Sequence, residues 1–117
     1  MELRNVRIWD GRADTYLDAE ALEIDGARIA RVGEGLGHGI DGSGLTVIPG
    51  LMDAHVHLCL DPEVRSPSDQ ETDPDLLLPA MRRRAEAMVR AGITTARDLG
   101  GGTWTELKLR DEIAAGA

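Results

Sequence analysis

The stretch "PGLMDAHVHL", Pro49 to Leu58, decides how the rest of the chain is read. Pro-Gly opens it, an apolar run follows, and two of the chain's three histidines close it, separated by one valine. Side chains of an extended strand alternate faces, so His55 and His57 share one face and Val56 takes the other. Their Cβ atoms are expected roughly 6.5 to 7 Å apart, within reach of one ion at about 2.0 to 2.1 Å per Zn–N bond. Asp53 has the same parity, which suits it either to orient a ligand from beneath or to enter the strand's own hydrogen bonding. Two histidines at a strand end can also simply meet solvent or a loop, so the pair takes its meaning from its surroundings.

Downstream, the pattern is that of alternating strands and helices. The run "LTVI" from Leu45, then Pro-Gly and "LMDAHVHL", reads as strand apolar on both faces, as in parallel sheets covered by helices. The acidic loop "DPEVRSPSDQET", too long for a simple connector, has the composition of a functional or mobile segment. A helix is expected next, with Asp73 as N-cap and Pro74 in its first position. Leu77, Met81, Ala85 and Met88 recur at helical spacing until Gly92 ends it. Arg82, Arg83 and Arg84 cannot share one helix face and are expected to solvate the outer side. "ITTARDL" reads as a second strand, stopped by three glycines. Thr103 stands three residues before Glu106, the reciprocal capping arrangement, and opens a second helix running to about Gly116. The order strand, loop, helix, strand, helix is how α/β folds with parallel sheets are assembled.

Upstream lies a different texture. "LRNVRIWDG", "EALEIDG" and "ARIARVG" are short strands closing on turns, and the Asp-Gly of "EIDGARI" predicts a two-residue hairpin. The loop "GEGLGHGIDGSG" is too rich in glycine for helix or strand. Gly37, Gly39 and Gly42 formally satisfy G-x-G-x-x-G, but no helix opens after them, so a flexible turn is expected and not a nucleotide site. His38, within that loop, reads as a solvated surface residue. The chain therefore divides into a small antiparallel β segment, residues 1–48, and a β/α segment, residues 49–117.

Composition narrows the function. The 117 residues are 42% hydrophobic and 29% charged, ordinary for a globular protein. They are too few for a closed barrel of eight strands, which needs about 200 to 250. Aromatic residues make up 3% and the net charge is −8, which argues against both nucleic acid and anionic membranes as partners. The lone Cys59 has no disulfide partner, and neither a secretion signal nor a membrane span is visible, so a cytoplasmic location is expected.

Taken with this organisation, "VIPGLMDAHVHL" resembles the first barrel strand of the amidohydrolase superfamily, the metal-dependent hydrolases related to urease, dihydroorotase and imidazolonepropionase. "AGITTARDLGG" is similar to the second-strand region of its imidazolonepropionase-like branch, which includes dipeptidases acting on Xaa-Pro or on dipeptides with a basic C-terminal residue. The fold this implies is the N-terminal part of a β-sandwich followed by the first two β/α units of an incomplete (β/α)8 barrel. The resemblance makes His55 and His57 ligands of the more buried of one or two divalent ions, zinc above all. The chemistry implied is hydrolysis of amide or peptide C–N bonds, in which the ion activates water and polarises the scissile carbonyl.

Members of the family complete this site with a lysine, two further histidines and a proton-shuttling aspartate from later strands. None of those strands is present here. Lys108, the only lysine, falls in the second helix, so no catalytic residue is assigned within this chain. Asp98 could face the barrel mouth, touching substrate or supporting a ligand, or it could merely end its strand. Cys59, of the same parity as the histidines, is either a third ligand or an inert thiol. The expected partners are a second polypeptide carrying the rest of the barrel, or further copies of the chain, together with a small-molecule or dipeptide substrate. Two rival readings are a non-catalytic fragment or assembly module with vestigial histidines, and a small metal carrier.

Overall fold

Pro49 and Gly50 mark a division in the chain. The computed structural model describes residues 1–101 and 103–116 and forms two compact units, Met1–Pro49 and Gly50–Ala117.

The first unit is made of six short strands: β1 (Glu2–Arg4), β2 (Arg7–Ile8), β3 (Ala21–Asp25), β4 (Arg28–Gly33), β5 (Ile40–Asp41) and β6 (Thr46–Val47). One sheet has the order β4-β3-β1-β5 and a second pairs β2 with β6. The single strand expected over "LRNVRIWDG" is broken at Asn5, whose φ of 59° belongs to the left-handed region that asparagine tolerates better than most residues. β3 and β4 form the expected hairpin, but Asp25 pairs with Arg28, so the turn residues are Gly26 and Ala27, one position later than the Asp-Gly reading. The glycine-rich loop corrects its expectation more fully. Ile40 and Asp41 lie beside Leu3 and Arg4 as a parallel strand, so the loop holds β structure. Gly39 is there because a Cβ would stand 2.5 Å from the carbonyl oxygen of Glu2. Close approach of two backbones, not a phosphate cradle, explains the glycine. Val6, Ile8 and Leu22 form the buried core, with Leu3, Leu17, Ala19 and Val47 packed against it. "LTVI" belongs to this unit: Thr46 and Val47 pair with Arg7 and Ile8, and Pro49 separates them from the strand that carries the histidines.

The second unit contains β7 (Leu51–Val56), a short 3-10 turn (Pro67–Asp69), α1 (Pro74–Arg90), β8 (Ile93–Asp98) and α2 (Thr105–Ala114). β7 and β8 pair in parallel, joined through α1. The Asp73 carboxylate accepts a hydrogen bond from the Asp75 N–H at 3.0 Å and Pro74 occupies the first turn, as its lack of a donor permits. Leu77, Met81, Leu109 and Cys59 are buried together, with Leu58, Leu78 and Ala85 against them. The apolar character of β7 is real but uncovered: Leu51 is 50% exposed and Met52 79%.

Two local expectations change. α2 begins at Thr105 with Trp104 at its N-cap in a left-handed conformation (φ 60°) and no side-chain cap. Glu106 is then the second helical residue, too early for the reciprocal bond from the third, and the Thr103 hydroxyl donates to that of Thr105 at 3.1 Å instead. Of the three arginines, Arg84 turns inward, donating to the Leu58 carbonyl at 2.8 Å and pairing with Asp61 at 3.0 Å. The acidic loop is braced by Gln70, which accepts from the Asp61 N–H at 2.7 Å and donates to the carbonyls of Asp61 and Val64. No helix among the described residues is long and apolar enough to cross a membrane.

Candidate metal centre

β7 delivers the histidines to its C-terminal end: His55 is the penultimate strand residue and His57 the first beyond it. Both side chains are exposed, with ring centroids 5.3 Å apart and ring planes inclined by 69°. The strand does not reach this point by simple alternation. Asp53 pairs with Ala96 and Val56 with Asp98, so β7 takes three steps where β8 takes two. Such a bulge interrupts the ladder and re-aims side chains.

His57 is oriented by a partner distant in sequence. Its Nδ1 lies 2.6 Å from the carbonyl oxygen of Gly100, in the loop after β8. A carbonyl oxygen can only accept, so Nδ1 carries the proton and donates it, and in the neutral ring the lone pair is left on Nε2. This is the tautomer in which a histidine offers Nε2 to a metal while its other nitrogen is held by a backbone carbonyl.

The neighbouring candidates divide. Asp53 accepts a hydrogen bond from the His55 N–H at 3.1 Å, the local backbone role left open by the sequence. Asp98 braces two loops at once, its Oδ2 accepting from the Leu58 N–H at 3.2 Å and its Oδ1 from the Gly100 N–H at 2.8 Å. Cys59 faces the core among Leu77, Met81 and Leu109, and burial, followed by the nearby charge of Asp98, pushes its thiol pKa up. A buried, protonated thiol is an inert one. Lys108 is exposed in the middle of α2, and His38 is exposed in its glycine-rich loop, with Nδ1 3.3 Å from the Leu36 carbonyl. Among the described residues, no group of three or more His, Cys, Asp and Glu side chains is placed to hold an ion. A groove of about 610 Å³ between β8 and the helices, lined by Ala85, Met88, Ile93, Leu109 and Ile113, contains neither histidine.

Sequence reasoning missed the Gly100 carbonyl. The only available signal was the glycine run after Asp98, which marked a strand end but gave no hint of what its backbone would touch.

The amidohydrolase family model matches residues 46–115, well over half of the chain. The chain belongs to the amidohydrolase family. Among solved structures, a Xaa-Pro dipeptidase crystallised with methionine in its active site is 25% identical, covers 98% of this chain and superposes with a TM-score of 0.81. An amidohydrolase, also 25% identical, covers 98% with a TM-score of 0.73, and an uncharacterised protein, 27% identical, covers 95% with a TM-score of 0.68. No curated protein sequence matches the chain significantly. The chain spans only 28–30% of the length of these solved relatives. Its fold is accordingly a mixed α/β one, that of the N-terminal part of an amidohydrolase barrel protein, as the sequence resemblance implied.

Proposed function

We propose that this amidohydrolase chain contributes the first metal-binding strand of a zinc-dependent hydrolase of amide or peptide C–N bonds, with dipeptides as the substrate class. The observation that carries the reading is the pair of adjacent imidazoles at the end of β7, one of them held by Gly100 with its Nε2 free. Nitrogen donors of this kind suit zinc, and two of them make half of a tetrahedral shell.

In this reading His55 and His57 hold the ion through ring nitrogens. A bound divalent ion lowers the pKa of water toward neutrality and polarises the substrate carbonyl. The chain's own residues supply orientation. Asp53 ties down the backbone of His55 and Gly100 sets the ring of His57. The remaining ligands and the proton shuttle come from polypeptide carrying the later barrel strands, which also covers the exposed apolar residues of β7. The dipeptide assignment is supported by likeness to the Xaa-Pro dipeptidase structure.

Metal analysis of the protein assembled with the polypeptide that carries the later strands tests this. Zinc retained by the assembled protein, lost on His55→Ala or His57→Ala, together with hydrolysis of a dipeptide panel, is the expected result. An assembly that binds no zinc, or binds it equally well without either histidine, would sink the proposal and favour a purely structural module.

A further inference from the structure

Asp98 lies in no ligand position, yet both of its carboxylate oxygens are engaged, and both bonds converge on the setting of His57. Oδ1 holds the N–H of Gly100, the residue whose carbonyl receives the His57 Nδ1 proton. Oδ2 holds the N–H of Leu58, the residue that follows His57 in the chain. Carboxylate bonds to backbone N–H are charge-assisted and stronger than neutral ones. The same side chain therefore grips the loop that orients the ring and the backbone that carries the ring. The loop is also packed tightly at its next residue, since Gly101 lies so close to Cys59 that no Cβ fits between them.

We infer that Asp98 is a positioning residue: by clamping Gly100 and Leu58 it fixes the Nδ1–H tautomer and the rotamer of His57, leaving Nε2 presented toward an ion. The inference rests on the reading of His57 as a metal ligand, but its first readout does not. Free imidazole side chains favour the proton on Nε2, so the opposite tautomer at His57 must be imposed by its surroundings.

The test uses long-range proton–nitrogen NMR correlations of ¹⁵N-histidine-labelled protein without added metal, which distinguish a protonated ring nitrogen from one bearing a lone pair. Wild type is expected to show His57 with Nδ1 protonated. Asp98→Ala is expected to lose that preference, and its affinity for added zinc to fall by about 10- to 100-fold, the usual effect of removing a partner that orients a ligand. Asp98→Asn keeps one acceptor and turns an amide N–H₂ toward the other donor, so it should be intermediate; it carries the test alone if the alanine variant does not fold. A folded Asp98 variant with the wild-type tautomer and unchanged zinc affinity overturns the inference. If the tautomer shifts in Asp98→Ala while His57→Ala binds zinc as well as wild type, control of the ring by Asp98 stands and the ligand role of His57 falls.

Discussion

Replacing Gly101 by alanine should damage packing and the setting of the His57 ring together. A Cβ at Gly101 would lie 2.0 Å from the Cys59 Sγ and 2.9 Å from the Cys59 Cβ, and ordinary contact begins near 3.4 Å, so 3.4 − 2.0 = 1.4 Å of movement is required. Cys59 cannot retreat, because it is 5% exposed and backed by Leu77, Met81 and Leu109. The loop must yield. If the Gly100 carbonyl moves by the same amount, its 2.6 Å bond from His57 Nδ1 lengthens to as much as 2.6 + 1.4 = 4.0 Å, beyond any hydrogen bond. Overpacking of this kind costs about 1–3 kcal/mol. In urea denaturation the midpoint of Gly101→Ala should drop accordingly, and in the same protein zinc affinity should fall. Adding Cys59→Ala removes the Sγ but leaves the 2.9 Å Cβ contact, so the double variant should recover part of both losses. A Gly101→Ala protein with wild-type stability and zinc binding, or a double variant whose effects simply add, would refute the packing argument.

Three further outcomes follow from the second unit. Met81→Ala empties a fully buried site between Leu77 and Leu109 and should cost about 2–5 kcal/mol in chemical denaturation; a loss below about 1 kcal/mol would mean this core is not closed. The Cys59 thiol, its pKa raised by burial and then by Asp98, should react with iodoacetamide far more slowly in the native protein than in urea, and equal rates would contradict its placement. The Asp61 carboxyl is held below its ordinary value by the Glu63 N–H and, more weakly, by Arg84. A depressed native pKa means that its contribution is present above the unfolded value of about 3.9 and is lost as pH falls through the native one. Proteolysis of the 61–73 loop should therefore accelerate below about pH 4 in wild type, and Asp61→Asn should abolish that acid step; identical acid profiles for the two proteins would count against the Arg84 strap.

Much of the fold could be read from short-range signals because those signals are local. Asp73 and Pro74 start α1 through their own backbone chemistry, and Leu77 and Met81 are buried where helical spacing puts them. The α2 cap and the β3–β4 turn each miss locally by one position, and the larger failures share one cause, pairing between segments remote in sequence. Ile40 and Asp41 become a strand only because Leu3 and Arg4 lie alongside, in a loop whose composition argues against it. Thr46 and Val47, read together with "LMDAHVHL" as one apolar strand, form a strand of their own because Arg7 and Ile8 offer them an edge. Arg84 looks like its two neighbours in sequence, yet it alone lies where the Leu58 carbonyl and Asp61 can receive it.

The histidine pair shows both sides of this division within a few residues. Alternation along a strand places His55 and His57 on one side, and their rings do lie together, but the bulge between Asp53 and Val56 means that alternation alone does not account for it. What fixes the His57 ring is a carbonyl 43 positions away, held in turn by Asp98. In a parallel β-α-β arrangement, strand ends on the same side are neighbours in space whatever the length of the crossover, so the loop after β8 is bound to meet the end of β7. The glycines after Asp98 let the loop make that meeting close, since a side chain at 101 would hold it away. An H-x-H motif followed, a helix later, by a strand-ending aspartate and glycines is therefore one physical unit, in which the second strand sets the aim of the first strand's imidazole.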